Sequence, residues 1–330
     1  QRLTPLAEKG KVLYPCAMQG FRRPLGLALA GGGALGAWQA GVLASLVKAG
    51  LVFDKVVGFS AGSLSGAAYC FGRLEELLAD WHDPDRLRVL RLKPSWSQGS
   101  LFDGQAVRDI VAFRGGRAGP EDGDEAAKRA ARCDLAVMAW CREERRTRYL
   151  RFTPGGERGW DCPIDAAIVA SCSIPRIFPP VSIEVGGRLL TFQDGGVPDE
   201  EGMRWDWLQG CKDIVALEMV GPRELGRTRW LPWWRMDQRG REVCREHFDR
   251  AVCAARLWRE PPRVFRLHPS RELAFNMLAF KTRHCRPALS LGREDAEAFL
   301  AEPLRRVLAA PERPLPAEDA GGFSGAPQPA

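Results

Sequence analysis

The hydrophobic pattern opens at Pro24. The run PLGLALA (24–30) is apolar without alternation. It predicts a buried strand, because a strand covered on both faces has no polar side. Behind it, Leu35, Trp38, Val42 and Leu46 fall near one face of a helix over 34–49. The unit then repeats: DKVVGFS (54–60) predicts a second strand and 62–79 a second helix. CDLAVMAWC (133–141) and CKDIVALEMVG (211–221) are further apolar strands. RYLRFTPGG (148–156) and RLLTFQDGG (188–196) read as strands running into glycine turns, and PSWSQGSLFDG (94–104) as a loop leading into a short helix. Strands alternating with helices predict an α/β fold, a mainly parallel sheet with helices on both faces.

Outside these segments the pattern weakens. Residues 1–23 are basic and unpatterned and read as an N-terminal extension. Residues 114–132 are polar and glycine-rich, then helix-prone. From 310 onward, Pro, Gly and Ala dominate and aliphatics are few, which predicts a disordered tail over 310–330. No repeat and no linker interrupts residues 20–305. One three-layer domain is therefore expected over 24–309, with the chemistry-bearing motifs in 24–220 and no recognisable signal in 221–309.

Composition narrows the picture only in part. The chain has 330 residues, 45% of them hydrophobic, enough for a sizeable core. Its net charge of +7 favours an anionic partner without choosing among a membrane surface, nucleic acid and an acidic ligand. A solvated basic surface is the commoner cause of such a balance. Ten cysteines are scattered from Cys16 to Cys285 with no C-x-x-C pair. That spacing favours neither a zinc or iron–sulfur site nor a dense disulfide framework, and they read as reduced, buried thiols of a cytoplasmic protein. No apolar run approaches the roughly 18 residues of a membrane span. The opening QRLTPLAEKGKVLYP lacks the apolar centre of a signal peptide. RTRWLPWWRMDQRGR (227–241) mixes arginine with three tryptophans, which suits a lipid interface and suits a loop covering a core edge.

Three motifs carry candidate chemistry. Gly31, Gly33 and Gly36 satisfy G-x-G-x-x-G between a strand and a helix, the dinucleotide fingerprint. The acid at about the right distance, Asp54, precedes the second strand and so lies at its wrong end for a ribose. A plain glycine turn is a second reading. A third is an anion site, because bare glycines at a helix start let a ligand approach unpaired N–H groups, and that suits a developing oxyanion. GFSAG places Gly58, Ser60 and Gly62 at a strand-to-helix join, the pattern of a nucleophile elbow; a small-residue turn with Ser60 as helix cap is the alternative. A serine nucleophile needs a base. His82, His247, His268 and His284 sit in polar or charged settings, none at a strand end before glycine. Asp194 does sit there, ahead of Gly195 and Gly196, either as a base or as an Asp-Gly turn.

Taken together, Gly31-Gly32-Gly33-Ala34-Leu35-Gly36, Gly58-Phe59-Ser60-Ala61-Gly62 and Asp194-Gly195-Gly196 resemble, in order and context, the patatin-like phospholipases. ASCSIPRIFPPV (170–181) resembles that family's Ser- and Pro-rich block, and GSLFDGQAVRDIV (99–111) resembles bacterial members. The likeness runs from about Pro24 to about Val220. Leu35 stands where many members carry Arg or Lys, and VPDEEGM, with Asp199 and Glu200, follows where many carry Asn and Pro. The resemblance implies a Ser60–Asp194 dyad without histidine. It places Gly31, Gly32, Gly33 and Gly36 around an oxyanion hole and Gly58 and Gly62 at the elbow. It further implies acyl ester hydrolysis of glycerolipids through an acyl-enzyme, with a lipid substrate at a membrane or micelle surface, no metal, no cofactor and no nucleic acid. Peripheral membrane association would follow. A catalytically weak lipid-binding or scaffolding relative is the alternative, and a dinucleotide-binding oxidoreductase the third.

Overall fold

The computed structural model describes residues 20–95, 97–104, 107–108, 131–154, 160–196, 204–221 and 232–302. In chain order, β1 (Leu25–Leu29) leads through a 3-10 turn into α1 (Gly36–Lys48), and β2 (Lys55–Phe59) leads into α2 (Ala61–Cys70) and α3 (Leu74–His82). β3 (Leu92–Ser95) and β4 (Ser100–Phe102) form a separate hairpin. Then come β5 (Asp134–Cys141), β6 (Arg146–Phe152), α4 (Ile164–Ser171), β7 (Val181–Val185), β8 (Arg188–Asp194) and β9 (Asp213–Leu217). α5 (Pro232–Arg256), β10 (Arg263–Leu267) and α6 (Thr282–Ala301) complete the described chain.

An eight-stranded sheet in the order β10-β9-β1-β2-β5-β8-β7, with β6 also paired to β5, carries the fold. β10, β9, β1, β2 and β5 run parallel, while β6 and β8 join β5 antiparallel and β7 joins β8 antiparallel. The unbroken apolar strands lie at its centre, and every residue of β1 and β9 is buried. β1–α1–β2 and β2–α2–β5 step across the sheet in one direction, and β9–α5–β10 steps in the other. Right-handed crossovers therefore put α1 and α2 on one face and α5 on the opposite face. This is the mainly parallel three-layer α/β arrangement that the alternation of strands and helices predicts.

Three local expectations change. The helix expected over 62–79 is two helices, because Gly72 at φ +69° turns the chain between α2 and α3. The loop expected at 94–104 holds the β3–β4 hairpin. The C-terminal part is the larger difference: it supplies the edge strand β10, the α5 layer and α6. α6 lies against α1 at backbone contact, since a Cβ on Gly41 would stand 2.3 Å from the Leu289 carbonyl oxygen and one on Gly292 2.1 Å from that of Trp38. The Trp38 indole N–H donates to Asp295 across the same contact at 2.7 Å. Among the described residues no helix is long and apolar enough to cross a membrane. The nine cysteines there are all free, eight buried and Cys253 exposed. The N-terminal extension up to residue 19, most of 114–132 and the tail from 310 lie outside the described residues.

At the sheet end away from the glycine loop, Asp213 is fully buried. It accepts the Arg22 backbone N–H at 2.6 Å and both Arg263 donors at 2.6 and 2.9 Å. Burial raises its pKa, but the bonds from Arg263 and Arg22 outweigh it, so the net shift is downward. A depressed folded-state pKa contributes stability above the unfolded carboxylate range that is lost as pH falls through the folded value. Asp213→Ala should lower unfolding stability at pH 7 by about 1–3 kcal/mol, because the charge-assisted bonds from Arg263 and Arg22 are lost while both arginines can turn to solvent. Denaturant unfolding should show that gap narrowing below about pH 4; a gap that stays constant with pH would refute the ionic origin.

Candidate active site

The register of the sheet brings the sequence motifs together. β6 covers one edge of β5 from Leu135 to Cys141. On the other edge, β2 pairs as far as Phe59 opposite Met138, and β8 takes over with Asp194 opposite Ala139. β2 and β8 thus meet end to end along one edge of β5. Ser60 leaves β2 at the position where Asp194 ends β8. The turn after Asp194 lies directly over this junction: a Cβ on Gly195 would stand 2.7 Å from the Met138 carbonyl oxygen and 3.0 Å from Phe59 Cβ.

Ser60 has φ 50° and ψ −128°, a conformation that costs a non-glycine residue of order 1–3 kcal/mol. Its neighbours hold it there. The Ser60 N–H donates to Ser171 Oγ at 2.9 Å, and that hydroxyl donates to the Met138 carbonyl at 2.6 Å. Ser63 Oγ donates to the Ser60 carbonyl at 2.6 Å. Gly58 and Gly62 are needed because strand and helix cross at contact: a Cβ on Gly62 would meet the Leu29 carbonyl oxygen at 2.4 Å, and one on Gly58 that of Gly62 at 2.6 Å. Ser60 also starts α2, whose N-terminal partial positive charge lies behind it.

Asp194 is buried at 5% exposure. Its N–H donates to the Ser173 carbonyl at 3.0 Å, and its Oδ1 accepts the Gly196 N–H at 2.8 Å. Oδ2 is buried and closes no hydrogen bond with the described residues. Burial pushes the carboxyl pKa up to about 6; the Gly196 N–H and the Ser60 hydroxyl pull it back only in part. The carboxylate is thus poorly solvated, underbonded and next to a strained serine.

The glycine loop wraps the same point. A Cβ on Gly31 would stand 2.4 Å from the Phe59 ring and 3.0 Å from Ser60 Cβ. Gly33 has φ +54°, and a Cβ there would lie 2.2 Å from the Met277 carbonyl oxygen, which accepts the Ala34 N–H at 2.7 Å. Leu35 N–H donates to the Gly32 carbonyl at 3.1 Å. The N–H groups of Gly31, Gly32 and Gly33 make no hydrogen bond with the described residues. Gly36 differs from the expectation that it lines an anion site with them. Its N–H donates to the Gly33 and Ala34 carbonyls, and its missing side chain serves packing, 2.9 Å from Ala61 Cβ and from the Trp81 ring. Asp54 sits at the far end of β1 and β2, where it accepts the Leu25 N–H at 2.7 Å and pairs with Arg23. It cannot reach a ligand at the glycine loop.

Two cavities join at Ser60 and Gly33. One is a small apolar pocket of about 50 Å³ walled by Leu64, Leu77, Trp81, Val89, Phe178 and Phe280. The other is a cleft of about 510 Å³ that includes Asp194, Arg176, Asp237, Asn276 and Met277. The four histidines line neither. His247 is buried beside Phe59, ring centroids 6.4 Å apart, and His284 stacks on Phe275 at 5.1 Å. No group of three or more His, Cys, Asp or Glu residues among the described ones could hold a metal ion.

A model of the patatin-like phospholipase family matches residues 27–200, more than half of the chain. The chain belongs to the patatin-like phospholipase family. Uncharacterized NTE family proteins of Mycobacterium tuberculosis and Mycobacterium bovis are 33% identical to this family member over 179 residues. That match covers 52% of the chain but only 42% of those proteins, so it spans less than half the length of these curated relatives. Among solved structures, VipD from Legionella pneumophila aligns with TM-score 0.41 and 11% identity over 85% of this chain and 67% of its own. Human GIVD cytosolic phospholipase A2 in complex with methyl gamma-linolenyl fluorophosphonate aligns with TM-score 0.40 and 13% identity over 89% and 60%.

Some parts of this patatin-like site gave no signal of their own in the sequence. Ser171 and Ser173 lie inside the recognised Ser- and Pro-rich block, yet only the structure shows them holding the backbones of Ser60 and Asp194. Asp237 and Arg241 form a buried pair at 2.9 Å that also binds the 273–277 segment: Arg241 donates to the Leu273 and Phe275 carbonyls, and Asp237 accepts the Met277 N–H at 2.6 Å. The (i, i+4) spacing on α5 was the only available hint. Asp199 and Glu200 lie outside the described residues. Of the Trp- and Arg-rich stretch, residues 227–231 also do; from Pro232 it is the start of α5, where Trp234 is half-buried and exposed Met236 lines the cleft.

The raised pKa of Asp194 has a stability consequence. A carboxyl whose folded pKa is about 6 instead of 3.8 destabilises the fold once both states are ionised, by up to about 3 kcal/mol, and by nothing below both values. Asp194→Asn should therefore raise the unfolding midpoint at pH 8 and leave it nearly unchanged at pH 4. A variant equally or less stable at pH 8 would show that the ionised carboxylate is well accommodated.

Proposed function

We propose that this protein is a serine acyl hydrolase that cleaves fatty acyl esters of glycerolipids, with Ser60 as nucleophile and Asp194 as its base. One observation supports this above all. A strained serine and an underbonded buried carboxyl end two strands at one point, where a small apolar pocket meets an open cleft. The pocket suits the acyl carbons next to the ester carbonyl, and the cleft suits the alcohol part of the ester. In the first half-reaction, ionised Asp194 takes the Ser60 hydroxyl proton as Oγ attacks the ester carbonyl. The tetrahedral oxyanion forms against the glycine loop, where the free N–H groups of Gly31, Gly32 and Gly33 are available as donors. Collapse expels the alcohol, which takes the proton back from Asp194, and leaves an acyl-enzyme on Ser60. In the second, Asp194 takes a proton from water as it attacks the acyl carbonyl; the Oγ–acyl bond then breaks, the proton passes from Asp194 to Ser60 Oγ, and the fatty acid leaves. A base with pKa about 6 suits this, being ionised at neutral pH yet more basic than an ordinary carboxylate. Binding at a membrane or micelle surface follows from a substrate that is itself lipid.

Ser60→Ala should abolish both turnover of a short p-nitrophenyl ester and labelling by a fluorophosphonate, with peptide mapping placing the wild-type label on Ser60. Turnover under kcat/KM conditions should rise with pH through about 6, because the base works only when ionised. Asp194→Asn should lower kcat about 10²–10⁴-fold, while His82→Ala, His247→Ala, His268→Ala and His284→Ala stay within about tenfold. A histidine variant that collapses with its fold intact by circular dichroism would replace the dyad with a triad. Labelling that persists in Ser60→Ala would remove the nucleophile assignment.

A further inference from the structure

Four non-glycine residues among the described ones hold a positive φ: Ser60, Arg88, Arg145 and Arg176. Two of these, Ser60 and Arg176, line the same cleft. Arg176 has φ 67°, where glycine would be at ease and arginine is strained. Its backbone is fixed from both sides. The Arg176 carbonyl accepts the Leu101 N–H of the hairpin at 3.1 Å, and the next residue, Ile177, bonds to Ile174 at 3.0 Å and to Phe102 at 2.9 Å. The side chain has no such anchor. It is exposed and makes no hydrogen bond or ion pair with the described residues. The other charges on the cleft wall are carboxylates, Asp194 and Asp237, and Asp237 is paired with Arg241. Among the described residues, Arg176 is therefore the cation of the cleft that no acid neutralises, on the side where the alcohol part of an ester would lie.

We propose that Arg176 is a specificity-determining residue that binds a phosphodiester on the alcohol side of the scissile ester. The inference rests on the hydrolase reading for the identity of that ester. A planar guanidinium offers paired donors that match phosphate oxygens, and an exposed one free of an internal acid meets the phosphate without first breaking an ion pair. The fixed left-handed backbone aims it from a rigid loop rather than from a mobile one.

The test compares Arg176→Gly and Arg176→Gln with wild type on three lipids of identical acyl chains, each dilute in neutral-detergent micelles: diacylglycerol, phosphatidylcholine and phosphatidylglycerol. KM for both phospholipids should rise about tenfold, as expected for one lost charge-assisted contact, and diacylglycerol turnover should stay within about twofold. Because glycine suits φ 67°, Arg176→Gly should unfold no earlier than wild type, which separates a binding role from a structural one. Equal loss on all three lipids, no loss on any, or loss confined to phosphatidylglycerol would each overturn the proposal; the last would mean attraction to surface charge. A binding arm is independent of turnover. Glycerophosphocholine titrated by calorimetry into Ser60→Ala protein should bind about tenfold more tightly than into the Ser60→Ala, Arg176→Gly double variant. Equal binding overturns the Arg176 assignment whether or not the protein hydrolyses esters. Wild-type turnover no higher than that of Ser60→Ala on every lipid would instead overturn the hydrolase reading.

Discussion

The site depends on one constraint of strand pairing: two strands share an edge of β5. β2 pairs as far as Met138 and β8 begins at Ala139, so the chain leaving β2 and the chain ending β8 must turn away within a residue of each other. Nothing larger than hydrogen fits several positions around that junction. Gly31, Gly58, Gly62 and Gly195 are each within 3 Å of a neighbour's atom at the place a Cβ would occupy. The glycines are thus a consequence of the register. The same crowding buries Asp194 and forces Ser60 out of a relaxed backbone, so the burial of one and the strain of the other have one origin.

This explains why the site was legible in the sequence while much of its support was not. Close approach of backbones leaves a mark that a reader can see, because it demands glycine at fixed offsets: Gly58 and Gly62 around Ser60, Gly195 and Gly196 after Asp194. Unbroken apolar runs gave the central strands for the same kind of reason, burial on both faces. The contribution of residues beyond 220 was hidden because it is made by common residues in common settings. α5 and α6 are rich in arginine and glutamate on their outer faces. Their roles appear only in contacts far apart in the chain, such as Gly292 against Trp38 or Arg241 against Leu273 and Phe275. The break between α2 and α3 at Gly72 was visible as a glycine, but a single glycine in a helical pattern does not by itself distinguish a turn from a tolerated defect. Gly36 shows the converse error. A glycine that fits a motif serves an anion only if its N–H is free, and here the 3-10 turn before α1 has already engaged it.

A buried, underbonded carboxylate and a serine at φ 50° both oppose folding. They persist because the surrounding bonds over-determine them. Ser171 and Ser173 on one short segment hold the backbones of both residues, so an error in one would be transmitted to the other. The bonds to Ser171 and Ser63 engage only the Ser60 main chain. That division fits a nucleophile, whose hydroxyl must remain available while its Cα cannot move.

The glycine loop shows why residues from opposite ends of the fold have to act together. Its N–H groups, unbonded among the described residues, can serve a ligand only if the loop cannot relax, and a three-glycine segment has little stiffness of its own. Stiffness is supplied by the 273–280 segment, whose Met277 carbonyl takes the Ala34 N–H and abuts Gly33. That segment has no regular structure, and its backbone is held by the buried Asp237–Arg241 pair on α5. A buried ion pair adds little net stability by comparison with apolar packing, yet breaking it leaves an uncompensated charge. Such a pair is suited to holding one conformation against its alternatives. The recognisable motif between residues 31 and 36 is therefore shaped from α5 and the segment that follows β10, where the sequence gave no sign of a link to that loop.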